Sequence, residues 1–176
     1  METNKISKTK FALNYGAMVG LVIMGLTLIG YVFEMYENGW INYLSYIILI
    51  VGIYISTKKY RDEVQGGFIS YSQALGFGVL IALFSAIILA FINYIYLGYI
   101  DDSFLQYSID KMEQGFYEQG ELSDEQIEST MAMSVKFLNP GFISISLLFM
   151  FTFIGFIISL ITSAFLKNES NEFDEI

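Results

Sequence analysis

The sequence predicts an all-α protein of the membrane: a four-helix bundle that spans the bilayer, with a helical hairpin outside it between the third and fourth helices. Of its 176 residues, 55% are hydrophobic, and four long apolar stretches contain no Asp, Glu, Lys or Arg. An α-helix crosses a hydrocarbon core about 30 Å thick with about 20 residues, which is close to the length of each stretch. Between the third and fourth stretches the sequence turns acidic, and its apolar residues recur at helical spacing.

These stretches define the domain organisation that we expect. The spanning helices cover about residues 11–33, 40–57, 71–97 and 140–166, and the hairpin covers about residues 100–139. Residues 1–168 form a single membrane domain, and residues 169–176 form an acidic tail. The first stretch follows three lysines, as in a signal peptide, but it is too long and lacks a small-residue cleavage site. We therefore interpret it as a retained helix.

The basic residues predict the orientation. Cytoplasmic flanks of spanning helices are enriched in Lys and Arg. Seven of the nine basic residues fall on one side if the chain crosses the membrane four times, namely Lys5, Lys8, Lys10, Lys58, Lys59, Arg61 and Lys167. Both termini are therefore expected in the cytoplasm. Aromatic residues that include Tyr31, Tyr36, Trp40 and Tyr99 would form an anchoring belt at the outer interface.

Composition excludes several kinds of chemistry. The chain has no Cys and no His, which removes thiol nucleophiles, histidine bases and metals held by these residues. Because nothing pairs the remaining acids with a nucleophile or base, we predict no enzyme activity and no cofactor. A net charge of −9 argues against nucleic acid as a partner. The lipid bilayer is the partner that the apolar stretches require.

The expected hairpin concentrates the negative charge. It has a net charge of −7, because Lys111 and Lys136 oppose nine acids: Asp101, Asp102, Asp110, Glu113, Glu118, Glu121, Asp124, Glu125 and Glu128. Gly120 is a plausible helix stop, Ser123 begins a capping box, and Asn139-Pro140 ends the hairpin and starts the last helix.

This charge allows three interpretations. The acids form a solvated face, a docking surface for a basic protein partner, or a weak site for divalent cations. The best oxygen clusters for a cation are Asp101 with Asp102, and Asp124 with Glu125. Because the spacing of an EF-hand loop is absent, we expect any cation affinity to be weak.

Small residues mark the faces on which the spanning helices pack. In lipid, small side chains let helix backbones approach closely, and dispersion then holds them together. We expect the first and third helices to touch with Gly16 and Gly78 in or near the contact, or one such face to serve a homo-oligomer instead. Likeness between the two halves also indicates an internal repeat that places Gly16 on Gly78, unless it is coincidental. The packing residues are Gly16, Gly20, Ala74, Gly78, Ala82 and Ala86.

Polar residues inside the apolar stretches are few and neutral. Asn14 and Gln73 are expected at a similar depth, where they can hydrogen-bond each other across the first and third helices, and Asn93 lies nearer the other end. The alternative is that these three residues line a path for a substrate. No charged group supports a proton relay.

A turn on the cytoplasmic side carries the most distinctive motif. Gly66-Gly67 permits a tight backbone turn, and Ser70 or Ser72 can cap the helix that follows. The segment KYRDEVQGGFISYSQALGFG at 59–78, with ELSDEQIESTMAMSVKFLNPGF at 121–142, resembles the bacterial family catalogued as domain of unknown function 4199. The resemblance implies a four-helix protein of the bacterial inner membrane with no assigned activity.

Function is therefore predicted only by class. We interpret the chain as a structural or protein-interaction component of the membrane, and the alternative is a small carrier or channel subunit for a neutral solute. A water-filled cavity lined by Asn14, Gln73 and Asn93 would favour the carrier. A closed bundle with an exposed apolar outer groove would favour the interaction protein.

Overall fold

The computed structural model describes residues 7–35 and 39–169. All the regular elements in these ranges are helices. They are α1 (Lys8–Val32), α2 (Trp40–Lys59), α3 (Tyr71–Ile95), α4 (Ser103–Gln119), α5 (Asp124–Ser134) and α6 (Pro140–Leu166). One π-helical turn extends α2 over Tyr60–Val64, and another extends α3 over Tyr96–Ile100. The prediction of an all-α protein is confirmed.

Four of the helices are long and apolar enough to span a membrane. With their π-helical turns they cover Lys8–Val32, Trp40–Val64, Tyr71–Ile100 and Pro140–Leu166. The second and third run past the ends expected from hydropathy. The second does so because hydropathy does not detect a helix that continues into charged residues. The acidic tail from residue 170, Lys5 in the N-terminal segment and Tyr36 of the expected aromatic belt lie outside the described residues.

The starts of the helices follow the capping signals in the sequence. The side chain of Ser70 accepts the N–H of Gln73 and the side chain of Gln73 accepts the N–H of Ser70, a reciprocal capping box. Ser123 and Gln126 form the same box at α5. Asn139 caps α6, with Pro140 in its first turn, and Gly120 ends α4 in the left-handed conformation at φ 63°. The predictions of a stop at Gly120 and of a capping box at Ser123 are confirmed.

Helix α3 occupies the centre of the packing. It packs along α1 on one side and along α6 on the other, and α2 contacts all three of these helices. Because it has neighbours on several sides, α3 is the most buried of the four long helices. Whether α1–α2 superposes on α3–α6, as the repeat hypothesis requires, stays a prediction.

The contacts also define the two ends of the helix assembly. Phe11 of α1 meets Tyr60 after α2 and Phe77 of α3, so one end gathers the start of α1, the end of α2 and the start of α3. The end of α6 lies there as well, because Arg61 donates to the carbonyl of Leu166. We call this the basic end, because it holds Lys8, Lys10, Lys58, Lys59, Arg61 and Lys167. Residues 101–139, the α4–α5 segment, connect α3 to α6 at the opposite end.

Candidate functional site

The packing of α1 on α3 depends on two glycines. A Cβ added at Gly20 would lie 2.8 Å from the carbonyl oxygen of Ser85 and 3.0 Å from its Cα. A Cβ at Gly16 would lie 2.7 Å from Cβ of Phe84. The backbones are close enough that the hydroxyl of Ser85 donates to the carbonyl of Gly16 over 2.8 Å. The structure thus places the predicted pair Gly16 and Gly20 in the α1–α3 contact.

The small residues of α3 face a different helix from the one that we expected. A Cβ added at Gly78 would meet Ser159 of α6 at 2.5 Å and Ile53 of α2 at 3.2 Å, and a Cβ at Gly155 of α6 would meet Ala82. The expectation that Gly78 lies in the α1–α3 contact is therefore wrong. Residues at steps of four share one helix face, and this face of α3 is turned toward α6. The predicted packing residues Ala74, Ala82 and Ala86 are fully buried.

These contacts close the half of the helix assembly next to the basic end. An aromatic cluster completes the closure, since the rings of Tyr60 and Phe77 stack at 4.1 Å and Phe11 contacts both. Tyr15 stacks on Phe11 at 4.7 Å, and Nζ of Lys59 lies 5.6 Å from the Tyr15 ring centre. We call this half the closed half.

The Gly66-Gly67 motif forms a tight backbone turn at the basic end. Gly66 and Gly67 adopt φ angles of 67° and 92°, which side chains with a Cβ rarely tolerate. The turn then brings Ile69 beside Asn168, where the two residues exchange backbone hydrogen bonds of 2.8 and 2.9 Å. The side chain of Asn168 also donates to the carbonyl of Gly67. The most specific motif of the sequence thus joins the α2–α3 turn to the residues after α6.

The polar residues of the long apolar helices lie apart from one another. Asn14 is exposed on the outer surface of α1, and Gln73 is exposed and uses its side chain in the capping box of α3. The expected hydrogen bond between them is not formed, because a helix N-terminus supplies Gln73 with a nearer partner. Asn93 is 1% exposed and lies among α1, α3 and α6.

Asn93 is the centre of a polar network in the other half of the assembly. The hydroxyl of Tyr31 donates to Oδ1 of Asn93 over 2.8 Å, and Nδ2 of Asn93 donates to the hydroxyl of Ser144 over 3.3 Å. The network links α1, α3 and α6. Tyr31 was expected in the anchoring belt, and Ser144 was not predicted to have a role. The sequence signal for this network is Asn93, because a buried amide side chain requires hydrogen-bond partners.

A cavity of about 210 Å³ adjoins this network. It lies between α1, α2, α3 and α6, and Phe104 of α4 lines it from the α4–α5 segment. Along α6 it extends from Ile143 to Phe151, which is about 12 Å at the rise of an α-helix. We call the half that contains the cavity the hollow half. Of the three polar residues expected to line a path, Asn93 lines the cavity, whereas Asn14 and Gln73 are outside its lining.

The acids of the α4–α5 segment do not converge. Asp101 lies just before α4, and Asp124 is the first residue of α5. The two residues are separated by the length of α4, which is about 25 Å. Among the described residues, no group of three or more acidic side chains is arranged to hold a metal ion. The two predicted pairs, Asp101 with Asp102 and Asp124 with Glu125, therefore lie apart and do not form one cluster.

Asp101 has a structural role instead. Its Oδ1 accepts the hydroxyl and the backbone N–H of Ser103 at 2.6 and 2.9 Å, and its Oδ2 accepts the hydroxyl of Tyr96 at 3.1 Å. The hydrogen bonds from Ser103, and then that from Tyr96, hold the pKa of Asp101 below its ordinary value, because they favour the ionised carboxylate. The carboxylate thus fixes the junction between α3 and α4.

An apolar groove lies between the α4–α5 segment and α6. Its lining includes Met112 of α4, Phe137 and Leu138 after α5, and Phe142 and Met150 of α6. It is open to the surroundings and has a volume of about 490 Å³. The groove shares Met150 with the cavity, along with Ile143 and Leu147, so one layer of α6 side chains separates the two spaces.

Comparison with known proteins identifies one family. A family model described as a protein of unknown function, DUF4199, matches residues 14–168, which include α1 from residue 14 onward, the other three long helices, the glycine turn, Asn93 and the α4–α5 segment. No curated protein and no solved structure matches the chain. Because the family model covers most of its length, the chain belongs to the DUF4199 family, as its sequence motifs predict.

Proposed function

We propose that this chain is a multi-pass protein of the bacterial cytoplasmic membrane that binds another membrane protein through its α4–α5 segment. In this proposal the four long helices form a bundle with both termini in the cytoplasm, and α4 and α5 form a hairpin outside the membrane. The basic end supports the orientation, because Lys and Arg are enriched in cytoplasmic flanks.

The observation that carries the proposal is the apolar groove beside an acidic surface. Exposed apolar side chains in a spanning segment face lipid, and they need no protein partner. Phe137 and Met133, however, are 53% and 62% exposed and precede Pro140, where the last span begins. Exposed apolar surface outside the lipid is characteristic of a binding site. The net charge of −7 around it favours a partner with a basic segment next to an apolar helix.

The same packing argues against a homo-oligomer through the small-residue faces. Gly16, Gly20, Gly78 and Gly155 all contact neighbouring helices within the chain. A second copy therefore has none of these faces to pack on, and the proposed partner is a different protein. An enzyme is also disfavoured, since the acids of the α4–α5 segment are dispersed and the described part of the cavity lining includes no charged side chain.

A carrier or channel subunit for a neutral solute is the second candidate. The cavity lined by Asn93 favours it, because a neutral polar group in a membrane cavity suits a neutral solute. The closed half opposes it, since a path to the basic end would have to separate backbones that Gly16 and Gly20 hold in contact. Binding without transport is more consistent with this asymmetry.

Single cysteines test the orientation. The chain has no Cys, so one introduced thiol gives an unambiguous label. We expect Glu121→Cys, between α4 and α5, to react with an impermeant maleimide in intact cells, and Glu63→Cys, at the basic end, to react only after the membrane is opened. Both residues are exposed, so accessibility within the fold does not separate them. The reverse pattern would overturn the proposed orientation.

Photo-crosslinking in native cells tests the partner. A benzophenone amino acid at Met112 lines the groove, and the same residue at Phe149, which is 69% exposed on a spanning helix, is the matched lipid-facing control. We expect one discrete protein adduct from position 112 and none from position 149. Neutralising Asp124, Glu125 and Glu128 as amides should weaken that adduct. Equal results at both positions would contradict a protein partner at the groove.

A further inference from the structure

We infer that the cavity in the hollow half binds one small, neutral molecule with an apolar body and a single hydrogen-bonding group. The inference concerns a different space from the groove at which a protein partner is proposed, and it does not depend on that partner. The cavity volume of about 210 Å³ exceeds the roughly 150 Å³ of an engineered protein cavity that binds benzene. A ring of that size with one polar substituent therefore fits.

The lining separates an apolar floor from a polar level. Met24, Leu89 and Phe151 lie deepest, by their positions along α1, α3 and α6. Asn93 and Tyr31 lie one to two turns nearer the α4–α5 segment. A few polar groups above an apolar surface are typical of sites for small molecules. Among the described residues that line the cavity none is charged, which favours a neutral ligand.

Asn93 has the capacity to recognise the polar group. An amide side chain has two N–H groups and can accept two hydrogen bonds at its oxygen. Tyr31 and Ser144 use one of each. Within the described chain the second N–H and the second acceptor position have no hydrogen bond, although Asn93 is 1% exposed. A ligand hydroxyl at this level can accept from the N–H or donate to the oxygen, and a ligand carbonyl can accept from the N–H; buried polar groups are usually satisfied.

The other polar residues of the lining are less suited to this role. The hydroxyl of Ser45 donates to the carbonyl of Ile41, and that of Thr27 donates to the carbonyl of Ile23, so both donors are used within their own helices. Asn42 is exposed at the start of α2, and Tyr46, whose ring packs on Phe151, is only partly buried. Recognition therefore concentrates on Asn93, and Ser45 is a position at which a larger side chain would fill the cavity without removing the network.

The experiment compares two probes of nearly equal shape. Para-fluorophenol carries a hydroxyl where para-fluorotoluene carries a methyl group, and fluorine NMR follows the binding of each to the purified full chain in detergent. At about pH 6 the phenol is neutral. After correction for partition into protein-free micelles, we expect the phenol to bind the native chain roughly three- to tenfold more tightly, as one additional hydrogen bond provides.

Three variants decide the outcome. Asn93→Leu should abolish the preference for the phenol, whereas Asn14→Leu, at an exposed asparagine of α1, should keep it. Ser45→Leu should abolish binding of both probes by filling the cavity, and it provides the test even if Asn93→Leu does not fold. Preference retained in a folded Asn93→Leu, or equal binding by the native chain and Ser45→Leu, would overturn the inference.

Discussion

The closed half and the hollow half of the four long helices pack by different rules. In the closed half, glycines on α1 and α6 bring backbones into contact with α3, and the hydroxyl of Ser85 bridges two helices. In the hollow half, the same face of α1 continues with Met24 and Thr27, and α3 continues with Leu89 and Asn93. These side chains are larger than glycine, and the cavity lies among them.

The comparison shows how a small membrane protein can combine a rigid part with a binding space. Contacts between backbones tolerate no added atom, so they fix the relative positions of α1, α3 and α6. Once those positions are fixed, the remainder of each helix does not need to pack tightly. The polar network of Tyr31, Asn93 and Ser144 then holds the hollow half together around its cavity.

The strongest way to break this account is to overpack the closed half. Gly20→Leu would force a side chain against the backbone of Ser85, which cannot move aside, and we expect a loss of about 3 kcal/mol in the free energy of unfolding. Gly25→Leu is the control, because a Cβ at Gly25 meets nothing within 4 Å. Thermal unfolding in detergent measures both. Equal melting of the two variants would contradict the assignment of Gly20 to a backbone contact.

A smaller effect is expected from the network of the hollow half. Asn93→Leu removes the two hydrogen bonds that link α1, α3 and α6, so we expect a loss of about 1–2 kcal/mol. Asn14→Leu should leave the stability unchanged or slightly raised, because Asn14 is exposed on a spanning helix. The same unfolding measurement distinguishes them. A larger loss from Asn14→Leu would reverse our ranking of the two asparagines.

Much of the fold could be predicted because its signals are local. Hydropathy identified the long helices, and the caps at Ser123 and Asn139 depend on residues within a few positions of one another. The helix against which the small-residue face of α3 packs could not be predicted in the same way. The small stripe of Gly78 and Ala82 fits against any helix that also has small residues, so sequence alone did not distinguish α1 from α6.

Only one residue of the candidate site, Asn93, could be predicted from the sequence. Asn93 attracts attention as a polar group in an apolar helix, whereas its partners Tyr31 and Ser144 are 62 and 51 residues away in sequence. The cavity itself is a property of packing, since no local pattern encodes a space between four helices. Gln73 was one of the residues expected to line a path. Its side chain instead takes part in the local capping box of α3, so it is not available to line one.

The smallest effect should appear at the junction of α3 and α4, on acidification. The pKa of Asp101 is lowered below its ordinary value of 3.8 by its hydrogen bonds from Ser103 and Tyr96. Their contribution is therefore present above the ordinary pKa and is lost as the pH falls through the lowered folded-state pKa. We expect the protection of the Ser103 amide, measured against its intrinsic exchange rate at each pH, to fall there, while amides of the closed half stay protected. Asp101→Asn should remove this pH dependence; its persistence in that variant would assign it elsewhere.

The central claim, that one half is hollow and the other closed, is tested most directly by two buried serines of α2. Ser45 and Ser56 are 5% and 2% exposed and lie on nearly the same face, about three turns apart, but only Ser45 lines the cavity. In lipid nanodiscs with both faces accessible, Ser45→Cys should react with methyl methanethiosulfonate, as detected by mass spectrometry. Ser56→Cys should stay unmodified over the same time. Reaction at position 56 with none at position 45 would contradict the account.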